Sequence, residues 1–411
     1  MPEFIKLTPV YQALQILLKQ LQVPVKSECI TTINALGRVT AESIYTPIPL
    51  PPFPRCTVDG YAVRAEDTFG ASESLPVYLR VIGEILMGNS PGFDINSGET
   101  GLIHTGGMLP ESCNAVVMIE YTQQVGRETV EILRPVAVGE NTIKVGEDIR
   151  FGEEVIPPGI RIRSAEIGGL AAMGIVEIEV AKKPVIGIIS TGDEVISPEM
   201  KLLPGQVWDI NSYSLSALID QAGAIPKRYG IFPDQLNLLE KISGKAIDEC
   251  DALVITAGSS ASARDLTASV ITKLGSPGVL VHGVNIRPGK PTILAICNNK
   301  VVIGLPGNPV SALVIAGLFL VPVIESLLGI SNVGLRPKLL ARLKNNIPSL
   351  AGREDWVPAR LLLNQQENQV EPIFSKSNLI FSLVRANCLI RVPADATGIS
   401  AGELVDIYLL T

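Results

Sequence analysis

Histidine is almost missing from this chain. His104 and His282 are the only two in 411 residues. The six cysteines, Cys29, Cys56, Cys113, Cys250, Cys297 and Cys388, include no pair at C-x-x-C spacing. A zinc site and a Cys–His catalytic pair are therefore not expected. Cysteines this scattered suit a reducing cytosol better than a disulfide framework. Positive charge is also in deficit, with a formal net charge of −7. That argues against a nucleic-acid partner, which needs basic stripes along the phosphates. A small anion is not excluded, because a local basic pocket can sit on an acidic protein. The N-terminal MPEFIKLTPVYQAL has no apolar signal core. The longest uncharged run, 301–324, is interrupted by Pro306-Gly307-Asn308-Pro309. The apolar stretch beyond this break is shorter than a membrane span of about 20 residues, so it reads as a buried core helix. The expectation is a cytoplasmic protein with neither membrane nor nucleic acid as partner.

Gly 37 and Pro 30 are plentiful and imply many turns and a large β component. The length exceeds what one core carries and predicts about three or four domains. Residues 8–21 read as an amphipathic helix, with Thr8 as N-cap and Pro9 as its first residue. The proline-rich stretch from 46 leads into short β-like runs: YAVRA, PVYLRVIGEI, TGLIH, AVVMIEY and TVEIL. At Pro184 the texture changes to buried strands alternating with helices, which implies a parallel-rich sheet covered on both faces. The resulting division is 1–45 with 143–183 (mixed α/β), 46–142 (an inserted β unit), 184–330 (three-layer α/β) and 331–411 (terminal β, barrel-like).

In open parallel sheets, ligands bind beyond the carboxyl ends of the strands. Those ends here carry Ser190-Thr191-Gly192-Asp193-Glu194, a small-residue loop at 256–265, and Gly304-Leu305-Pro306-Gly307-Asn308-Pro309. The small-residue loop lets backbone amides approach an oxyanion, although alone it reads equally as a surface turn. Asn308 and Pro309 have the form of a helix start. Arg287 and Lys290 stand three residues apart on a turn stiffened by Pro288, Gly289 and Pro291, which suits a divalent oxyanion or a phosphate. Asp193, Glu194, Asp209, Asp234 and Asp265 gather near the same face. They could hold Mg²⁺ beside a phosphate, or cap helices in the case of Asp209 and Asp234.

At this point the residues resemble a known family. STGDE, the loop ending in Asp265, RPGKP and GLPGNPVSA are similar to the molybdopterin-binding domain of the MoeA/gephyrin family. So are PPFPRCTVDGYAVRAED, His104-Thr105-Gly106-Gly107 and Gly139-Glu140-Asn141 through Asp148 to segments of its other domains. The resemblance covers nearly the whole chain in the family's order. It implies four domains and a homodimer whose active site is shared between subunits. The implied reaction inserts molybdate into adenylylated molybdopterin with Mg²⁺, giving molybdenum cofactor and AMP. The adenylyltransferase of the preceding step is a further implied partner. By this resemblance Arg287, Lys290, Pro291, Asn308, Ser260, Ser311, Arg353 and Ser377 bind substrate or molybdate. Glu194, Asp234 and Asp265 serve Mg²⁺ and the adenylate. Asp59 and Thr105 come from the partner subunit, and Asp148 matches another acidic position.

The chain departs from the family pattern at Ala257 and Ser262, where glycine is usual. Arg287 replaces the usual lysine, and Cys56-Thr57-Val58 precede DGYA. Three alternatives stay open: a tungstate-selective or otherwise divergent paralogue, a non-catalytic molybdopterin-binding scaffold, and the adenylyltransferase itself. The flanking domains and the DGYA segment favour the insertase over the last.

Overall fold

A computed structural model describes residues 7–256, 261–331, 333, 339–363 and 367–410, with the backbone alone for 261–265. The central sheet has six strands. In spatial order they are Ile225–Phe232, Val185–Thr191, Ala252–Thr256, Lys300–Leu305, Ile293–Cys297 and Pro277–His282. The first four run parallel, Ile293–Cys297 runs antiparallel to them, and Pro277–His282 pairs antiparallel with it. The chain leaves Val185–Thr191 in one direction and returns to Ala252–Thr256 on the other side. The switch point therefore lies between these two strands, where STGDE follows the first and Thr256 ends the second.

Both faces of the sheet are buried, as an apolar strand such as ALVIT requires. On one face Ile186, Ile188, Val254 and Ile303 pack against Asn211–Ala222 and the helix Pro309–Leu327. On the other, Ile189, Leu253, Ile255 and Val302 meet Leu239 and Ile247 of Leu236–Glu249 and Val270 and Ile271 of Ala261–Lys273. The helix expected near the N-terminus, Val10–Gln20, docks Val10, Ala13, Leu14 and Leu17 into the first of these cores. Thr8 does not cap it. Its amide donates to the Gly283 carbonyl, and Pro9 takes the N-cap position in an extended conformation. The apolar helix after Pro306 is 19 residues long with a mean hydropathy of 2.2, enough by length and composition to cross a membrane, but 72% of it is buried in this core.

Residues before the central sheet form two β-rich parts. One pairs Ser27–Thr31 with Glu177–Ala181 and packs Ile162, Leu170, Met173 and Val180 beside the helix Ser164–Ala172. The other is a mixed six-stranded half-barrel that holds the expected β-like runs, with Tyr61, Val63 and Val117 on one face and Ala62, Ile103 and Val116 on the other. After the central sheet, Leu339–Leu343, Glu354–Leu362, Gln369–Pro372, Cys388–Val392 and Leu404–Leu409 close into a small barrel around Ala359, Val370, Ile390 and Ile407. The fold is thus multidomain α/β plus β. The two-residue strand Ile286–Arg287, from the α/β part, adds in parallel to the barrel strand with Ile286 opposite Glu354 and Arg287 opposite Asp355.

Candidate functional site

That added strand decides where the basic turn points. Arg287 leads into Pro288-Gly289-Lys290-Pro291, and the turn folds back so that the Val284 amide donates to the Lys290 carbonyl. Gly289 has φ +111, and a Cβ there would lie 2.4 Å from Ile315 of the long helix. Only glycine combines that conformation with that approach. The turn is thereby pressed against the start of the helix that carries Ser311.

The result is a cleft of about 870 Å³ between the α/β sheet and the barrel. Arg287, Lys290, Pro291, Asn308, Ser311, Arg353 and Ser377 all line it. These residues come from four stretches of sequence, and the structure brings them into one place. The Lys290 side chain is exposed and makes no ion pair among the described residues. Arg287 and Arg353 are both held by Asp355, which is 3% exposed. Asp355 Oδ1 accepts a bond from Arg353 Nε at 3.0 Å, Oδ2 accepts one from Ser349 Oγ at 3.0 Å, and Arg287 Nη1 lies 3.6 Å from Oδ2. The sequence reading does not single out Asp355. It stands two residues after Arg353, in the strand Glu354–Leu362. Lys376, beside Ser377, also lines the cleft and was not singled out.

Asn308 has the backbone of an N-cap (φ −67, ψ 125), but its side chain does not cap the helix as its position suggests. Its Nδ2 donates instead to Ser377 Oγ at 3.2 Å, and the Val310 amide donates to the Ser377 carbonyl at 3.1 Å. The barrel loop has taken over the helix start.

A second group sits at the switch point. Asp234 follows the edge strand, and its amide donates to Asp193 Oδ1 at 3.2 Å. Asp234 Oδ1 is buried with no hydrogen-bond partner. Burial pushes its carboxyl above the usual range; the neighbouring Thr191 hydroxyl opposes this, while Asp193 and Glu194 add to it. Asp209 has a different job. It is 5% exposed, accepts from Ser190 Oγ at 2.9 Å and from the Ser212 amide at 3.0 Å, and so holds the start of Asn211–Ala222. Of its two sequence readings, the cap is the one the geometry takes. Asp234 caps nothing. Among the described residues no three metal-ligating side chains converge. The expected set includes Asp265, whose side chain lies outside those residues, as does Ser260. Ala257 also lies outside them, and Ser262 falls in the first turn of the helix Ala261–Lys273.

Asp59 and Thr105 are not in the cleft lining. They meet each other on the half-barrel, where Asp59 Oδ1 accepts from the Thr105 amide at 2.7 Å and its hydroxyl at 3.0 Å. These bonds hold the Asp59 carboxyl below its ordinary range, against a small opposing effect of burial. His104, one residue before Thr105, pairs with Glu84 at 2.7 Å. Asp148 is exposed, and its amide donates to the Leu50 carbonyl.

The chain matches three family profiles in tandem: "MoeA N-terminal region (domain I and II)" over residues 8–174, "Probable molybdopterin binding domain" over 187–326, and "MoeA C-terminal region (domain IV)" over 340–410. It is 38% identical over 387 residues to a putative molybdopterin biosynthesis protein of Methanocaldococcus jannaschii, covering 92% of this chain and 91% of that one. It is 31% identical over 391 residues to a molybdopterin molybdenumtransferase of a Nostoc species, covering 93% and 88%. A crystal structure of a molybdopterin biosynthesis protein from Pyrococcus horikoshii superposes with a TM-score of 0.86 at 33% identity, covering 98% of this chain and 100% of that one.

Proposed function

This chain belongs to the MoeA family, and from that premise we propose that it is a molybdopterin molybdenumtransferase acting on adenylylated molybdopterin, molybdate and Mg²⁺. The observation that carries the reading is the cleft in which Arg287, Lys290 and Arg353 converge with Asn308, Ser311 and Ser377. Fixed guanidiniums present paired donors to a tetrahedral oxyanion, and Lys290 adds a mobile point charge. Four cations, Arg287, Lys290, Arg353 and Lys376, against one buried carboxylate leave the cleft net positive on an acidic chain, which favours doubly charged molybdate over neutral ligands.

The switch-point carboxylates suit Mg²⁺. A buried carboxylate oxygen without a partner, beside two further acids, is costly unless a cation or proton completes it. Glu194, Asp234 and Asp265 would hold the ion, which when bound neutralises phosphate charge. The residues around it orient the adenylate, and the cleft cations hold the oxyanion in reach of the pterin's dithiolene sulfurs. Those soft sulfurs are suitable ligands for molybdenum, while AMP departs. The chemistry requires no protein nucleophile. Asp59 and Thr105, pre-paired on the half-barrel, belong in this reading to the partner subunit's contribution across a homodimer. All six cysteines are unbonded, which supports a reducing, cytosolic setting.

The test is AMP release by purified protein from adenylylated molybdopterin, Mg²⁺ and either molybdate or tungstate. Molybdate-dependent release that disappears in Lys290→Ala is expected. Release with tungstate alone would transfer the reading to a metal-selective paralogue. Tight pterin binding without AMP release under either oxyanion would leave a binding protein.

A further inference from the structure

Arg287 and Arg353 are 66 positions apart and lie in different parts of the fold, yet one side chain touches both. Asp355 gives Oδ1 to Arg353 Nε and Oδ2 to Ser349, with Arg287 Nη1 at 3.6 Å. Among the described residues it thus meets one nitrogen of each guanidinium, and both arginines line the cleft. The arginine side chains are 62% and 31% exposed, whereas that of Asp355 is 5% exposed. Its neighbour Glu354 pairs with Arg391 and with Trp356 Nε1, so it does not compete for the same cations. The parallel register of Arg287 with Asp355 fixes the backbone on both sides.

We propose that Asp355 is a positioning residue for the oxyanion: it sets the two guanidiniums at a fixed angle, so that their free edges form one tetrahedral-anion seat. This rests on the molybdenumtransferase reading of the cleft. A buried carboxylate lowers the positive potential of the cleft and by charge alone opposes anion binding. Its presence there is useful only if geometry outweighs charge. A flexible arginine loses rotamer entropy when it grips a ligand, and an arginine already held by a carboxylate has lost it beforehand.

The two effects predict opposite signs for Asp355→Asn. A mere counter-charge, once removed, tightens molybdate binding. A lost positioning residue weakens it, because an amide has one oxygen where the carboxylate offers one each to Arg353 and Ser349, and it has no charge to hold Arg287. Calorimetric titration of the full-length chain with sodium molybdate reads the sign. The expected result is binding about ten-fold weaker, with KM for molybdate raised and kcat at saturating molybdate within about two-fold. Asp355→Glu should recover part of the affinity. A general loosening of the barrel would lower kcat as well. Should Asp355→Asn give no cooperative melt, Ser349→Ala takes its place, since it removes one of the donors pinning the carboxylate, and binding about three-fold weaker is expected. Unchanged or tighter molybdate binding in the folded variant overturns the proposal while leaving the transferase reading intact. If the unsubstituted chain binds no molybdate, both fall together.

Discussion

Asn308 donates its side-chain amide to Ser377 Oγ over 3.2 Å, tying the start of the helix Pro309–Leu327 to a loop of the terminal barrel. Both residues line the basic cleft, and the Val310 amide reinforces the tie by donating to the Ser377 carbonyl. Asn308→Ala should therefore raise KM for molybdate and cost about 1 kcal/mol of stability. Ser377→Ala should cost a similar amount, and the double variant less than the sum of both. Strict additivity in chemical denaturation would show that the two residues act separately.

The basic turn depends on Gly289. Alanine there meets Ile315 at 2.4 Å and must adopt φ +111. Gly289→Ala should destabilise by roughly 2 kcal/mol or more and weaken oxyanion binding. Adding Ile315→Ala makes room for the methyl but does not ease the backbone, so recovery should be partial. Full recovery of the melting temperature would assign the whole cost to the contact.

Asp234 makes stability depend on pH in a stated direction. Burial raises its folded pKa above the unfolded value. Its contribution to folding is therefore full below the unfolded pKa of about 3.9 and is lost as pH rises through the folded value. Without Mg²⁺, Asp234→Asn should melt above the parent at pH 8, with the gap narrowing towards pH 5. Added Mg²⁺ should stabilise the parent and not the variant. Equal melting curves at pH 8, with and without the ion, would remove Asp234 from the proposed metal site.

The proposed sharing of the site between subunits is tested by mixing them. Asp59→Asn and Lys290→Ala should each abolish AMP release when homodimeric. If a site takes Lys290 from one chain and Asp59 from the other, unfolding and refolding the two together in equal amounts should restore about a quarter of the parent activity. That is one intact site in each mixed dimer, with half of the dimers mixed. No recovery would place both residues in a single chain's site, or the active unit in a monomer.

Much of this molecule was legible before any coordinates. The strands ALVIT and VVIGL could be seen because they are buried on both faces and so read as unbroken apolar runs. The half-barrel strands announced themselves through the Gly, Pro and Asn turns between them. Arg287 and Lys290 stood out because a Pro- and Gly-stiffened turn is a costly place for cations with nothing to hold. The strand Ile225–Phe232 did not stand out. It is a sheet edge with no buried position, and carries Pro226, Lys227 and Arg228, residues that edges tolerate and central strands do not. What only the tertiary structure decided are relationships between stretches distant in sequence. Local pattern makes Asn308 a helix cap, yet the barrel's Ser377 claims its side chain. Nothing local to Asp355 says that it faces Arg287, because that pairing exists only when a two-residue strand from the α/β sheet adds to the barrel. Residue types and short-range turns are set by local sterics and so appear in the chain itself. The meeting of Arg287 with Asp355 is set by strand register between the α/β sheet and the barrel, and it exists only in the folded chain.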